Sequence, residues 1–102
     1  MTNLIAQHAN ELIALCRVAG ARRLDVFGSA ARGDFDPATS DLDFLVAFDD
    51  LPPSEYADAY FTLKQSLESL FERPVDLLTE ANLENPYLRD RVYAERESVY
   101  AR

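Results

Sequence analysis

Two carboxylates one residue apart open an apolar run, Asp41-Leu42-Asp43-Phe44-Leu45-Val46-Ala47-Phe48. Side chains alternate along a strand, so Leu42, Phe44, Val46 and Phe48 share one face and Asp41 and Asp43 the other. The two aspartates then stand roughly 6–7 Å apart at their Cα atoms. Adjacent like charges on an apolar strand are costly, because they repel and because burial penalises the ionised form. A strand of this kind needs a core under its apolar face. On its other face it needs either open solvent, as for edge aspartates, or a cation that offsets both charges.

A second segment lies just upstream. Val26-Phe27-Gly28-Ser29-Ala30-Ala31-Arg32-Gly33 reads as the end of a strand, a tight Gly-Ser turn and the start of a helical turn. Gly28 allows backbone conformations that a Cβ hinders, and a turn that opens a helix aims N–H groups at an anion. Ser29 adds a hydroxyl donor. Alone, Gly-Ser is equally an ordinary strand-to-helix turn. Beside Asp41 and Asp43 it reads as a phosphate cradle next to a cation site, that is, a nucleotide-and-metal site. Mg²⁺ takes oxygen ligands, keeps some waters and relies on a few carboxylates plus substrate phosphates, which suits this donor set better than zinc does.

Apolar residues at Leu4, Ile5, Ala9, Leu12, Ile13 and Cys16 predict a helix from Leu4 to Ala19, with Gly20 as its left-handed stop. Arg23 to Phe27 is a short strand. Gly33 to Ser40 carries turn residues and forms the loop before the strand from Asp41 to Phe48, with Asp34 and Asp36 capping turns. Ser54 is an N-cap candidate for a helix whose buried stripe is Tyr56, Ala59, Tyr60, Leu63, Leu67 and Leu70. Pro74 to Thr79 is another strand, and Asn85-Pro86 is N-cap plus first-turn proline for a last helix. Val99-Tyr100 is either a frayed end or a short edge strand. His8, without a second histidine, has a surface or packing role, and Tyr87, Tyr93 and Tyr100 serve either packing or a partner surface. The expected fold is α/β (α+β), a small mixed β-sheet with helices packed over one face.

These residues resemble the nucleotidyltransferase superfamily named after DNA polymerase beta. Its pattern is Gly-Ser, a spacer of about ten residues, then Asp-x-Asp between apolar residues. The spacer here, Ala30 to Ser40, has 11 residues, one more than the commonest form. The resemblance covers almost the whole chain and is closest to the minimal nucleotidyltransferases (MNT) that accompany HEPN-domain toxins, including the ending Asn85-Pro86-Tyr87-Leu88-Arg89-Asp90. It implies a polymerase beta-like nucleotidyltransferase fold and the antitoxin of a type VII toxin–antitoxin system, moving AMP from ATP to a tyrosine hydroxyl of the HEPN toxin. It implies that Gly28, Ser29 and Arg32 bind the nucleotide. Asp41 and Asp43, with Asp76 as third carboxylate, would hold Mg²⁺, two ions in all, and carry the catalysis. By the residues alone, Asp76 is also readable as a strand-end surface aspartate and Arg32 as a surface arginine. Two other readings stay open: nucleotide transfer to a small hydroxylated molecule such as an aminoglycoside, and an antitoxin that acts by binding alone.

A chain of 102 residues is expected to form one module over 1–102. The single cysteine excludes a disulfide within the chain and, with no basic N-terminal region and no apolar run near the ~20 residues that span a bilayer, the expected location is the cytoplasm, away from membranes. A net charge of −8 repels a phosphate backbone, so direct nucleic-acid binding is not expected, and the resemblance implies a hetero-oligomer with the toxin.

Overall fold

The computed structural model describes residues 2–36 and 38–102, and Pro37, in the predicted loop, lies outside the described residues. The chain runs α1 (Asn3–Gln7), α2 (Ala9–Ala19), β1 (Ala21–Phe27), α3 (Ser29–Arg32), β2 (Leu42–Phe48), α4 (Pro53–Phe71) and β3 (Val75–Thr79). A short 3-10 turn (Glu80–Asn82), α5 (Pro86–Glu95) and β4 (Glu97–Ala101) follow.

The strands form one sheet in the order β3-β2-β1-β4. β1 is antiparallel to both β2 and β4, and β3 is parallel to β2, so the sheet is mixed as expected. The parallel pair requires a crossover, which α4 supplies. Val99 and Tyr100 belong to an edge strand, β4, paired with β1.

The predicted alternation on β2 holds. Leu42, Phe44, Val46 and Phe48 are buried against Leu12 and Cys16 of α2 and Leu63, Leu67 and Phe71 of α4. Phe44 is fully enclosed and stacks on Phe71, ring centroids 6.1 Å apart. The layer of helices expected over one face is therefore α2 and α4. On the opposite face α5 adds a smaller cover, where Val92 and Leu88 pack with Phe27, Leu45, Leu78 and Leu83. Asn85 caps α5 as expected, its side chain accepting from the Tyr87 and Leu88 amides.

Two local expectations are corrected. The first helix is interrupted at His8, whose backbone is non-helical. Its Nδ1–H donates to the Leu4 carbonyl at 2.8 Å and its ring meets Phe71 edge-on at 5.2 Å, so His8 has the packing role. Helix α4 starts at Pro53 behind Pro52, with no side-chain cap from Ser54. Proline at the first helical position has its φ preset and lacks only an N–H that would be unpaired there anyway. Gly20 does end α2 in the left-handed conformation, φ 75°.

Two polar features fix the edges. Asp25, buried in β1, accepts from Arg23 Nε at 2.9 Å and from Arg96 Nη1 at 3.4 Å, which ties β1 to the α5–β4 junction. On the β3 edge, the Val75 amide donates to Glu68 Oε2, the Tyr60 hydroxyl donates to the Leu77 carbonyl at 2.6 Å, and the Thr79 amide donates to Asn82 Oδ1. Side chains thus occupy backbone groups that would otherwise accept another strand.

Phe44→Ala should cost about 3–5 kcal/mol, because truncation inside this enclosed packing leaves a cavity. Urea denaturation followed by circular dichroism checks it, and a loss under about 1 kcal/mol would contradict this account of the core.

Candidate active site

The site is built at the start of β2, on the face turned away from α2 and α4. Asp43 is in register with Phe27 of β1 on one side and with Asp76 of β3 on the other. Parallel neighbours lie about 4.8 Å apart, so strand pairing itself brings Asp43 and Asp76 together. Asp41 stands exposed just ahead of β2, on the same side as Asp43 by alternation.

Gly28 follows Phe27 and is shaped by Asp43. Its φ of 69° and ψ of −150° fall in a region open essentially to glycine alone. A Cβ on Gly28 would overlap the Asp43 Oδ2 oxygen and stand 3.2 Å from Asp43 Cγ. The Asp43 carboxylate therefore packs directly against the turn. The Gly28 carbonyl then accepts from the Ala31 and Arg32 amides, which starts α3.

The loop that delivers Asp41 is pinned on both flanks. Asp36 accepts from the Ala38 amide at 2.9 Å, its own amide donates to Ser40 Oγ at 3.0 Å, and its carbonyl accepts from the Ser40 amide at 2.8 Å. These turn contacts, the Ala38 amide first and then the Thr39 side chain, hold the Asp36 carboxyl below its ordinary pKa. Arg73 stacks over Phe35 at 4.9 Å and donates to the Ser40 carbonyl at 3.5 Å. Asp36 is the turn cap that the sequence predicts. Asp34 instead faces Arg32.

A cleft of about 460 Å³ results, lined by Gly28, Ser29, Arg32, Asp41, Asp43 and Asp76 together with Phe27, Ser40, Leu78, Leu88 and Arg91. The structure thus places Gly28, Ser29, Arg32, Asp41, Asp43 and Asp76 around one cleft, while His8, Asp34 and Asp36 stand outside its lining. It also adds Arg91, which sequence reasoning missed. The available signal was its position three residues after Leu88 and beside Val92, on the flank of a stripe that packs on the sheet. A larger groove of about 680 Å³ lies between α2 and α4 on the other side of the sheet, lined by residues such as Ala14, Leu15, Thr62 and Leu70, and contains none of this chemistry.

Electrostatics single out Asp43. Its carboxyl is raised to about 6, first by burial and then by Asp76 and Asp41, while Arg32 and Arg91 pull it back. Arg32 is already engaged. Its Nη1 donates to both Glu95 oxygens at 3.1 and 3.2 Å and its Nη2 faces Asp34 at 3.5 Å, contacts that raise its pKa. Among the described residues, none of the three cleft aspartates has a hydrogen-bond or ion-pair partner.

Crowded carboxylates without protein donors are an oxygen ligand set suited to Mg²⁺. Among the described residues no three or more His, Cys, Asp or Glu side chains converge into a ready-made metal cluster. Carboxylates that repel one another have no reason to close up unaided, and Mg²⁺ completes its shell with water and substrate phosphate. The residues fit that ion on these terms. Among the described residues, no helix is long and apolar enough to cross a membrane.

Comparison with known proteins follows the same lines. Residues 12–99 match the family model described as nucleotidyltransferase domain. A Methanocaldococcus jannaschii protein provisionally named a protein adenylyltransferase is 32% identical over 79 residues, 78% of this chain and 75% of the relative. A solved structure described provisionally as a minimal nucleotidyltransferase is 38% identical with a TM-score of 0.69, covering 90% of this chain and 89% of the other. A toxin–antitoxin crystal structure with AMP-PNP is 26% identical with a TM-score of 0.66, covering 92% of this chain and 73% of the other.

Two expected outcomes follow from the geometry. Folding favours the protonated form of Asp43, whose pKa rises from 3.8 to about 6, so its contribution to stability is greatest below 3.8 and is lost as pH rises through about 6. Asp43→Asn should therefore stabilise the metal-free chain by about 1–2 kcal/mol near pH 8, after allowing for partial exposure, and by almost nothing near pH 4. Urea titrations of both proteins at the two pH values check this, and a gain that grew toward acid pH would have the wrong sign. Gly28→Ala should cost about 2 kcal/mol or more from its backbone conformation and should displace the Asp43 carboxylate. Denaturation and a nucleotide-binding titration on the same variant measure both effects.

Proposed function

Because the chain belongs to the nucleotidyltransferase domain family, we propose that it transfers AMP from ATP to a tyrosine hydroxyl of a HEPN-domain toxin and so acts as that toxin's antitoxin. The observation that carries this reading is the cleft in which the Gly28-Ser29 turn abuts Asp43, with Asp41 and Asp76 beside it. The likeness to a protein named for adenylyl transfer to proteins supports the donor and the acceptor class. The likeness to a toxin–antitoxin assembly holding an ATP analogue supports the partner. Asp76 is exposed at the rim of the cleft, which favours an acceptor that docks from outside.

In this reading the turn at Gly28 and Ser29 holds the triphosphate of ATP. Asp41, Asp43 and Asp76 hold magnesium, which when bound offsets charge on the transferring phosphoryl group and makes the acceptor hydroxyl more acidic. Asp76 faces the incoming tyrosine and accepts its phenolic proton. The tyrosine oxygen bonds to the α-phosphorus in line as the bond from that phosphorus to the bridging oxygen breaks, and pyrophosphate leaves with the electron pair. Asp43, held between the turn and Asp76, fixes the distance between nucleotide and acceptor.

The decisive experiment is intact-mass spectrometry of a co-expressed HEPN partner in the presence of ATP and Mg²⁺, with the wild-type chain and with the Asp41→Asn, Asp43→Asn pair. The expected result is a mass gain of one or more adenylyl groups on the partner with wild type only. An unmodified partner in a tight complex would instead make this an antitoxin that acts by binding. A partner neither modified nor bound would return a small hydroxylated molecule as the acceptor.

A further inference from the structure

Two guanidinium groups line the cleft, and their circumstances differ. Arg32 is bonded to both oxygens of Glu95 and faces Asp34, so its charge is matched within the protein. Arg91 lines the same cleft, yet among the described residues it has no hydrogen-bond or ion-pair partner. It is also held in place. The next residue, Val92, is 1% exposed in the cluster with Phe27, Leu45 and Leu83, and Leu88 one turn earlier packs on that cluster. Asn85 caps the helix start. The Arg91 backbone is thus anchored on the sheet while its side chain is solvated at the cleft.

The charge balance of the cleft gives that cation a task. Asp41, Asp43 and Asp76 make the floor strongly anionic, and Arg32, shared with Glu95 and Asp34, offsets that charge only in part. A nucleoside triphosphate brings several more negative charges to the same space. Divalent cations bound at the carboxylates offset charge there, and the rest of the polyphosphate requires a donor elsewhere on the wall. Arginine suits this because its planar fork matches phosphate oxygens bidentately. We propose that Arg91 of α5 binds the polyphosphate tail of the nucleoside triphosphate, making α5 the wall of the nucleotide site. Arg91 lines the same cleft as the three carboxylates, so its charge stands on the wall that the polyphosphate meets. The assignment rests on the nucleotidyl-transfer reading and adds to it the residue that distinguishes a triphosphate from a monophosphate.

Calorimetric titration with AMP-PNP and with AMP, each in Mg²⁺, tests it on wild type, Arg91→Gln, Arg91→Lys, Arg32→Gln and Arg89→Gln. Arg89 is an exposed arginine of the same helix that does not line the cleft, so it controls for general charge loss. Loss of a charge-assisted contact should weaken AMP-PNP binding by Arg91→Gln roughly 10- to 100-fold, with AMP affinity nearly unchanged. Arg91→Lys should fall between, Arg32→Gln should lose less than Arg91→Gln, and Arg89→Gln should match wild type. Thermal unfolding of Arg91→Gln should match wild type, since its side chain is exposed. Wild-type AMP-PNP affinity in Arg91→Gln, or equal losses for AMP and AMP-PNP, overturns the assignment while leaving the nucleotidyl-transfer reading standing. A wild-type chain that binds no AMP-PNP overturns both.

Discussion

The contact between the Asp43 carboxylate and the α-carbon of Gly28 is the constraint around which the molecule is arranged. It places a half-buried anion, with two more anions beside it, against a turn that only glycine can form. Such a site opposes folding, so the stability must come from elsewhere. It comes from the reverse face of the same strand, where Leu42, Phe44, Val46 and Phe48 are buried under α2 and α4. One strand thus carries the anchor and the strained chemistry on opposite faces, and alternation of side chains keeps them apart.

The C-terminal third completes the site. α5 is held by a small apolar cluster on the site face, and β4 returns along β1 to close the sheet. The buried Asp25, between Arg23 and Arg96, fixes the junction of the two. Leaving one partner of a buried ion pair unmatched is expensive, so this junction resists opening. At the opposite edge, side chains of Tyr60, Glu68 and Asn82 cover the backbone of β3 beside Asp76. The edge nearest the chemistry is therefore defended against strand addition, and the approach to Asp76 remains over the face of the sheet.

Most elements were legible because their signals are local. Alternation on β2, the glycine stop of α2, the Asn85-Pro86 start of α5 and the Asp36 turn each depend on a few neighbouring residues. The failures had a different origin. His8 ends the first helical segment with its Nδ1–H on the Leu4 carbonyl and its ring against Phe71, 63 positions away in the chain, a packing contact that the helical period does not show. Ser54 had the right chemistry for a cap, but the preset geometry of the preceding prolines begins the helix first. Arg32 was readable as a nucleotide-binding or a surface arginine and is tied to Glu95, while Arg91 gave no motif and lines the cleft.

The amino-acid sequence alone determined the strand that carries Asp43 with Asp41 just ahead of it, the Gly28-Ser29 turn, and the membership these imply, because spacing of two and backbone freedom at glycine are properties of adjacent residues. Tertiary structure decided which distant groups meet them: the register that sets Asp76 beside Asp43, the clash that reserves position 28 for glycine, and the helix that brings Arg91 to the cleft. Those outcomes follow from strand pairing and from packing of α5 on the sheet, and such long-range contacts are fixed by the whole core rather than by any one segment.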